Sequence, residues 1–186
     1  MTRIALDAMG GDHAPKQIVV GAVDAACNLP EVKIFLVGKP EAIQREVDRF
    51  SKDRRARYRR AVSTGALEVV HAPDEVEMSD VPVEAVRRKK DCSINVAMRM
   101  VKEGRADVFV SAGNSGAVAT SAILNLGRIP GVKRPAIAMV LPTKLRSFTS
   151  LRSGKVCFVI SLPLQSSVPI EIRPTAGVVR FKTAFE

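Results

Sequence analysis

Aromatic residues are scarce in this chain, and other features that point directly to a function are also missing. There is no tryptophan, one tyrosine, and an aromatic content of 4% over 186 residues. Stacking surfaces for single-stranded nucleic acid are therefore few, and we predict no nucleic-acid partner. No apolar run reaches the length needed to span a bilayer. No signal-peptide pattern follows Met1, which predicts a cytoplasmic protein.

Cysteine spacing gives no metal site or disulfide framework. The three cysteines, Cys27, Cys92 and Cys157, are scattered and odd in number. Free thiols are the simplest interpretation. Internal repeats and low-complexity segments are absent as well.

Positive charge is abundant, with a formal net charge of +10. This excess favours an anionic partner, such as nucleic acid, a membrane surface, an acidic carrier protein or a phosphorylated substrate. Much of it lies at residues 45–60, "REVDRFSKDRRARYRR". A solvated, partly helical segment explains this stretch more simply than a docking patch, although both remain open.

Apolar runs alternate with helical patterns along most of the chain. Strands are predicted at residues 3–8, 32–38, 66–71, 107–111 and 135–141. Helices are predicted at residues 15–28, 82–89, 92–103 and 114–127, and residues 40–62 are expected to be mostly helical or irregular. The small apolar residues of 114–127 predict a buried helix. The alternation predicts an α/β protein with three α/β/α layers around a mostly parallel sheet.

The pattern changes after Lys144. Residues 145–186 contain six basic residues but only two acidic ones, Glu171 and Glu186. Short β-type runs occur at Val156–Leu162 and Gly177–Phe181, without a convincing amphipathic helix. We therefore predict an N-terminal α/β part at residues 1–144 and a distinct tail at 145–186.

Polar and glycine residues follow several predicted strands. Because parallel strands have their carboxyl ends on the same side of the sheet, these residues are expected to lie together along that rim. They are Asp7, Gly10, Gly11, Asp12 and His13 after the first strand, His71 after the third, and "SAGNSGA", residues 111–117, after the fourth.

The segment "SAGNSGA" is the most informative of these. Gly113 permits close backbone approach to a ligand, and Asn114 or Ser115 can cap the following helix. The start of such a helix favours an anion such as phosphate. An ordinary strand–turn–helix connection with a good cap explains the same letters, so the motif alone leaves both interpretations open.

A run of four cations precedes the helix predicted at 92–103. It consists of Arg87, Arg88, Lys89 and Lys90 within "EAVRRKKDCS". It suits either a solvated helix end or a cationic wall for phosphate or an acidic partner. Asp91 or Ser93 is expected to cap the next helix.

Three longer segments carry a family resemblance. "IALDAMGGDHAP", "HAPDEVEMSDVPVEAVRRKKDCSINVAMRMVKEGRADVFVSAGNSGA" and "LGRIPGVKRPAIAMVLPT" closely resemble the PlsX family of phosphate acyltransferases, from about residue 3 to residue 143. Members are longer, and residues 145–186 do not resemble their second half. A tail read in another frame, or a heavily diverged end, fits this departure.

The resemblance implies transfer of a long-chain acyl group from acyl carrier protein to inorganic phosphate, for phospholipid synthesis. It also implies a fold like that of isocitrate and isopropylmalate dehydrogenases, a homodimer, peripheral contact with membrane lipid at the inner face of the membrane, and no cofactor or metal. A short-chain phosphate acetyltransferase and an inactive fragment of the family are the alternatives.

Site residues are assigned on this basis. We expect His13, oriented by Asp12, to protonate the leaving thiol or polarise the carbonyl, and Asn114 to act with them. The expected phosphate-binding residues are Gly10, Gly11, Ser111, Gly113, Asn114, Ser115, Arg88 and Lys90.

Overall fold

A computed structural model describes residues 1–128, 171–175 and 178–182. The chain divides into two compact units, Met1–Gly127 and Arg128–Glu186. The strands of the first unit are β1 (Thr2–Asp7), β2 (Val32–Gly38), β3 (Leu67–His71) and β4 (Val108–Val110). Its helices are α1 (Lys16–Asn28), α2 (Pro40–Asp48), α3 (Lys52–Ser63), α4 (Pro82–Arg88), α5 (Ser93–Lys102) and α6 (Ser115–Asn125). In the second unit, β5 (Glu171–Thr175) pairs antiparallel with β6 (Val178–Lys182).

The four strands of the first unit form a parallel sheet in the order β3-β2-β1-β4. In register, Ile4 of β1 lies between Ile34 of β2 and Val108 of β4. The chain therefore builds the sheet outward from β1 to β3 and then returns to the other side of β1. This reversal makes the gap between β1 and β4 a topological switch point, where open α/β sheets bind ligands.

Helices cover both faces of the sheet, as the sequence predicts. On one face, Ile34 and Leu36 pack with apolar residues of α1, α2 and α3. On the other, Phe35 and Val37 pack with Ala97 and Met100 of α5. Buried side chains on alternate positions of β2 thus fix both layers, each large one contributing about 1.5–3 kcal/mol.

The secondary-structure predictions are confirmed for the four strands of the first unit and for helices α1, α4, α5 and α6, with small shifts at their ends. Residues 40–62 form two helices, α2 and α3, with Ser51 accepting a hydrogen bond from the Arg54 amide at the start of α3. The β-run at Gly177–Phe181 corresponds to β6. The strand predicted at 135–141 and the run Val156–Leu162 lie outside the described residues.

Two local predictions are wrong. Neither Asp91 nor Ser93 caps α5, because Cys92 is the N-cap residue, Ser93 is already helical, and Asp91 pairs with Arg99 at 2.7 Å. Helix α6 is not buried throughout, since Ile123 and Leu124 in its last turn are exposed, as is Leu126 directly after it. Small apolar residues allow close packing on several sides, but the number of covered sides depends on partners distant in the chain.

Candidate functional site

The candidate site lies at the carboxyl ends of β1 and β4, on the two sides of the switch point. Leu6 is in register with Val110, so the next residues, Asp7 and Ser111, leave the sheet side by side. The loops that follow, residues 8–15 and 111–114, lead into α1 and α6. The two glycine-containing segments singled out in the sequence therefore meet in space.

A buried carboxyl group joins the two loops. Asp7 is 1% exposed, and its Oδ2 accepts a 2.7 Å hydrogen bond from the Ser111 hydroxyl. Its Oδ1 accepts a 3.0 Å hydrogen bond from the Met9 amide. The Ser111 Oγ in turn accepts from the Gly113 amide at 3.0 Å. Ser111 thus bridges the carboxyl group and the backbone of its own loop, which makes its hydroxyl part of the loop framework.

Burial raises the pKa of Asp7 above its ordinary value. Hydrogen bonds from Ser93, Ser111 and the amides of Met9 and Gly10 oppose that rise because they favour the charged form. Removal from water is the larger effect, so the carboxyl group holds its proton at higher pH than an exposed aspartate does.

Glycine is required where the loops touch. A Cβ on Gly10 would collide with Asp7 Oδ2, and it would lie 2.8 Å from Ser111 Oγ and 2.9 Å from the Gly113 nitrogen. A Cβ on Gly113 would lie 3.0 Å from the Gly10 Cα. Gly11 has a positive φ of 106° and approaches Ala112. The close contact of the two backbones therefore depends on missing side chains.

Asn114 caps α6, which confirms one of the two caps allowed by the sequence. Its Oδ1 accepts from the Ala117 amide at 3.1 Å, and its Nδ2 lies 3.3–3.4 Å from the carbonyls of Glu77, Met78 and Asp80. The side chain is buried, and both ends of its amide face protein groups. This geometry gives Asn114 a structural task at the helix start.

The first turn of α6 retains unpaired donors. Within residues 1–128, the amide N–H groups of Ser115 and Gly116 reach no hydrogen-bond acceptor. The Ser115 side chain is exposed. These N–H groups and the helix dipole together form a site suited to an anion.

Asp12 and His13 lie in the loop after β1, and both are exposed. The His13 carbonyl accepts from the Gln17 amide at 3.1 Å at the start of α1. Among the described residues no hydrogen bond joins the Asp12 and His13 side chains. The structure thus places both on the predicted loop without the expected contact between them.

His71 occupies the same rim but not the same crevice. It ends β3, pairs with Gly38 of β2 and is exposed. Three strand spacings, about 14 Å, separate β3 from β4 across the sheet. Of the two histidines, His13 is therefore the one on a loop that borders the switch point.

The four cations near the end of α4 have different surroundings. Lys89 Nζ forms a 2.6 Å ion pair with Asp80 Oδ2. A hydrogen bond from Lys89 lowers the pKa of Asp80, helped by the Glu77 amide and the Arg88 charge. Because the Asp80 carbonyl faces Asn114, Arg88 lies near the segment that contacts the start of α6. Arg87, Arg88 and Lys90 are exposed, and no described contact brings Lys90 to the two loops.

Two functional candidates escaped sequence reasoning. Ser93, expected only as a helix cap, is buried and lowers the pKa of Asp7, opposing the rise caused by burial. Asn95, 3% exposed, donates to the carbonyls of Val86 at 2.9 Å and Lys89 at 3.0 Å and accepts from the Ser121 hydroxyl at 2.7 Å. It thereby joins α4, α5 and α6. No local signal marks either residue, because their partners are distant in the sequence.

The described residues contain neither a cluster of metal ligands nor a membrane-spanning helix. Among the residues that the structure describes, no three or more His, Cys, Asp or Glu side chains cluster as metal ligands would. None of the helices in that part of the chain combines the length and apolar character needed to cross a bilayer.

Comparison with known proteins gives a consistent picture. A family model described as "Fatty acid synthesis protein" matches residues 2–154. A phosphate acyltransferase of Heliobacterium modesticaldum is 50% identical over 141 residues, which are 76% of this chain and 39% of that protein. One of Desulforamulus reducens is 51% identical over 143 residues, or 77% of this chain and 39% of that protein. One of a Nostoc species is 44% identical over 160 residues, or 86% and 41%. The chain thus spans about two fifths of the length of these relatives.

Proposed function

Because the chain belongs to this family of fatty acid synthesis proteins, we propose that it supplies the phosphate-binding part of a phosphate acyltransferase. The proposed reaction transfers a long-chain acyl group from acyl carrier protein to inorganic phosphate and yields an acyl phosphate for phospholipid synthesis. The names of the relatives support this reaction type. The observation that carries the proposal is the meeting of two glycine loops at the switch point, beside α6 amides that no acceptor within residues 1–128 reaches.

The reaction makes three demands on the protein. A phosphate oxygen attacks the thioester carbonyl carbon, so phosphate must be held close to it. The tetrahedral intermediate then carries an oxyanion that needs fixed donors. Finally the carbon–sulfur bond breaks, and the carrier thiolate takes up a proton. Phosphate is itself the nucleophile, so no enzyme nucleophile is required.

The residues are assigned to these demands as follows. The amides of Ser115 and Gly116 hold phosphate, while Ser111 and Asn114 fix the loop that presents them. The glycines Gly10, Gly11 and Gly113 let the two loops touch, and this contact sets the position of the loops around the anion. Arg88 adds positive charge at the edge of the site, whereas Lys90 lies away from the two loops and is given no part in it. His13 protonates the leaving thiol, with Asp12 turning toward it when substrate binds.

The test is phosphate-dependent loss of acyl carrier thioester, with the acyl phosphate identified by mass spectrometry. It is run on this chain and on the full-length Heliobacterium modesticaldum relative. Product that requires phosphate supports the proposal, and thioester loss independent of phosphate contradicts it. In the relative, replacement of the residue matching His13 by alanine is expected to lower kcat about 100-fold. Unchanged turnover would remove His13 from the mechanism.

The same assay separates this proposal from an alternative in which the chain binds phosphate but does not transfer the acyl group. Phosphate binding without turnover in this chain, alongside turnover by the relative, would identify that case. A series of thioesters from acetyl to palmitoyl distinguishes long-chain transfer from short-chain acetyl transfer.

The remaining features are proposed from the family resemblance. In the full-length protein we expect the parallel sheet to belong to a fold like that of isocitrate and isopropylmalate dehydrogenases. We expect a cytoplasmic homodimer that touches the inner face of the membrane and needs no cofactor. Sedimentation of the full-length relative, with and without anionic vesicles, tests both the dimer and the membrane contact.

A further inference from the structure

Asp7 is the most buried charged group beside the candidate site. The proposed reaction needs a held phosphate, donors for the oxyanion and a proton for the thiolate, and none of these steps uses Asp7. It ends β1, and its carboxyl group reaches both loops through Met9 and Ser111. A carboxyl group next to an anion site is unusual because a negative charge there repels the ligand. Its presence therefore calls for an explanation beyond hydrogen bonding.

We propose that Asp7 is a positioning residue of the phosphate site and that it takes up a proton when phosphate binds. This inference rests on the phosphate site of the proposed function. In the neutral form one oxygen of the carboxyl group carries the proton, and the other still accepts a hydrogen bond. The loops remain joined while the repulsive charge is removed.

The surroundings of Asp7 favour such a change of charge. Water is excluded, so its negative charge is weakly screened. Burial also raises the pKa of Asp7 before any ligand arrives. An anion held by the adjoining loops raises that pKa further, because a nearby like charge disfavours ionisation.

Within the part of the chain that the structure describes, no positively charged group is among those that act on the Asp7 carboxyl group. β2 presents Val37 and Gly38, and the loop after β4 presents Ser111. At the start of α5, Cys92 is buried, and burial raises the pKa of its thiol, with smaller contributions from the charges of Asp7 and Asp74. Asp12 and His13 lie on the same loop as Gly10 but are exposed.

The test compares phosphate affinity in this chain and in its Asp7→Asn variant by calorimetry between pH 5 and pH 8. Asparagine keeps the shape and cannot ionise, and the titration of phosphate itself cancels in the ratio of the two dissociation constants. We expect the variant to bind phosphate more tightly, by a ratio that grows with pH toward about tenfold, which corresponds to a one-unit rise in the Asp7 pKa on binding. A ratio that does not change with pH overturns the coupling.

A second measurement needs no folded variant. The carbon-13 signal of the Asp7 carboxyl group in the wild-type chain is titrated with and without saturating phosphate. A higher midpoint with phosphate supports the coupling, and an unchanged midpoint overturns it. If the wild-type chain binds no phosphate at any pH, both the phosphate site and the coupling to Asp7 are overturned. Phosphate binding without proton uptake overturns the coupling alone.

Discussion

At the scale of single residues, the site depends on the absence of a side chain at Gly10 and on the side-chain amide of Asn114. Gly10 lies where the two loops touch, and Asn114 lies where α6 begins. Neither needs to contact substrate to matter, because each decides where backbone N–H groups point. Substitutions at these positions should therefore alter stability and phosphate binding to different extents.

Gly10→Ala is expected to destabilise the fold by about 1–3 kcal/mol, because the added Cβ collides with Asp7 Oδ2 and crowds Ser111. Gly21→Ala is the matched control, since a Cβ there meets nothing within 4 Å in the middle of α1. That control should stabilise the fold by about 0.5–1 kcal/mol. Urea denaturation measures both variants. Equal effects would show that the two loops can separate without cost.

Asn114→Ala should lower the free energy of unfolding by about 1 kcal/mol, because the Ala117 amide loses its cap. Asn114→Asp keeps an oxygen for that amide but sets its second oxygen against the carbonyls of Glu77, Met78 and Asp80, so it should destabilise the fold at least as much. The aspartate charge should also weaken phosphate binding at the adjoining amides. Paired denaturation and phosphate titrations measure both. An Asn114→Ala variant of wild-type stability but with weaker phosphate binding would identify Asn114 as a ligand instead of a cap.

At the scale of elements, the site is held by contacts between strands and helices far apart in the chain. Asn95 ties the end of α4 to α6. At the amino ends of the same two strands, Arg3 of β1 is joined to Asp107, just before β4. The link consists of a 2.7 Å ion pair and a hydrogen bond from the Arg3 amide to Asp107. These links keep β1, β4 and α6 in fixed relation.

Asn95→Ala should destabilise the fold by about 1–3 kcal/mol, since the carbonyls of Val86 and Lys89 and the Ser121 hydroxyl lose a buried partner. Gln44→Ala removes an exposed amide that bonds Asp48 on α2, and should change stability by less than about 0.5 kcal/mol. Thermal denaturation compares the two. Similar small effects would mean that the Asn95 contacts are replaced by water.

The Arg3–Asp107 link predicts a pH dependence. A hydrogen bond from the Arg3 side chain lowers the pKa of Asp107 from 3.8 to about 2. The resulting stability is present above pH 3.8 and is lost as the pH falls toward 2. Both side chains are about 40% exposed, so solvent screening limits the effect to less than about 1 kcal/mol. Asp107→Asn should therefore flatten the acid limb of a stability curve, whereas Glu103→Gln, at a 4.0 Å pair, should leave it unchanged.

At the scale of the whole molecule, the net charge of +10 fits the proposal of an acidic carrier protein as partner. Helix α3 carries much of this charge, in Arg54, Arg55, Arg57, Arg59 and Arg60. Some of it is engaged within the protein, since Arg57 pairs with Asp24 at 2.8 Å. Arg59 and Arg60 are exposed and remain available to steer a partner.

Reversing the charge of Arg59 and Arg60 to glutamate should slow association with acyl carrier protein about tenfold at low salt, and added salt should remove the difference. The control reverses Lys102 and Arg105 near the start of β4, which changes the net charge equally. Stopped-flow association rates measure both. Equal slowing would assign the steering to total charge instead of α3.

Most of the sheet could be predicted from the sequence, but little of the hydrogen-bond network that joins its loops could be. Apolar runs and the Asn114 cap follow from local rules, so β1 to β4 and the start of α6 could be predicted. The Asp7–Ser111 contact spans 104 residues and follows only once strands are known to be parallel neighbours. The parts played by Ser93 and Asn95 could not be predicted, because a local pattern does not reveal which distant group a buried hydroxyl or amide will meet.

The pairing of β1 with β4 has a consequence for how the protein is made. β1 leaves the ribosome first, yet Asp7 meets Ser111 only after 104 further residues have been added. At about 5–20 residues per second, that interval is on the order of 5–20 seconds. During translation β1 can pair with β2 long before β4 exists, so the two loops of the candidate site are brought together late in the synthesis of the first unit.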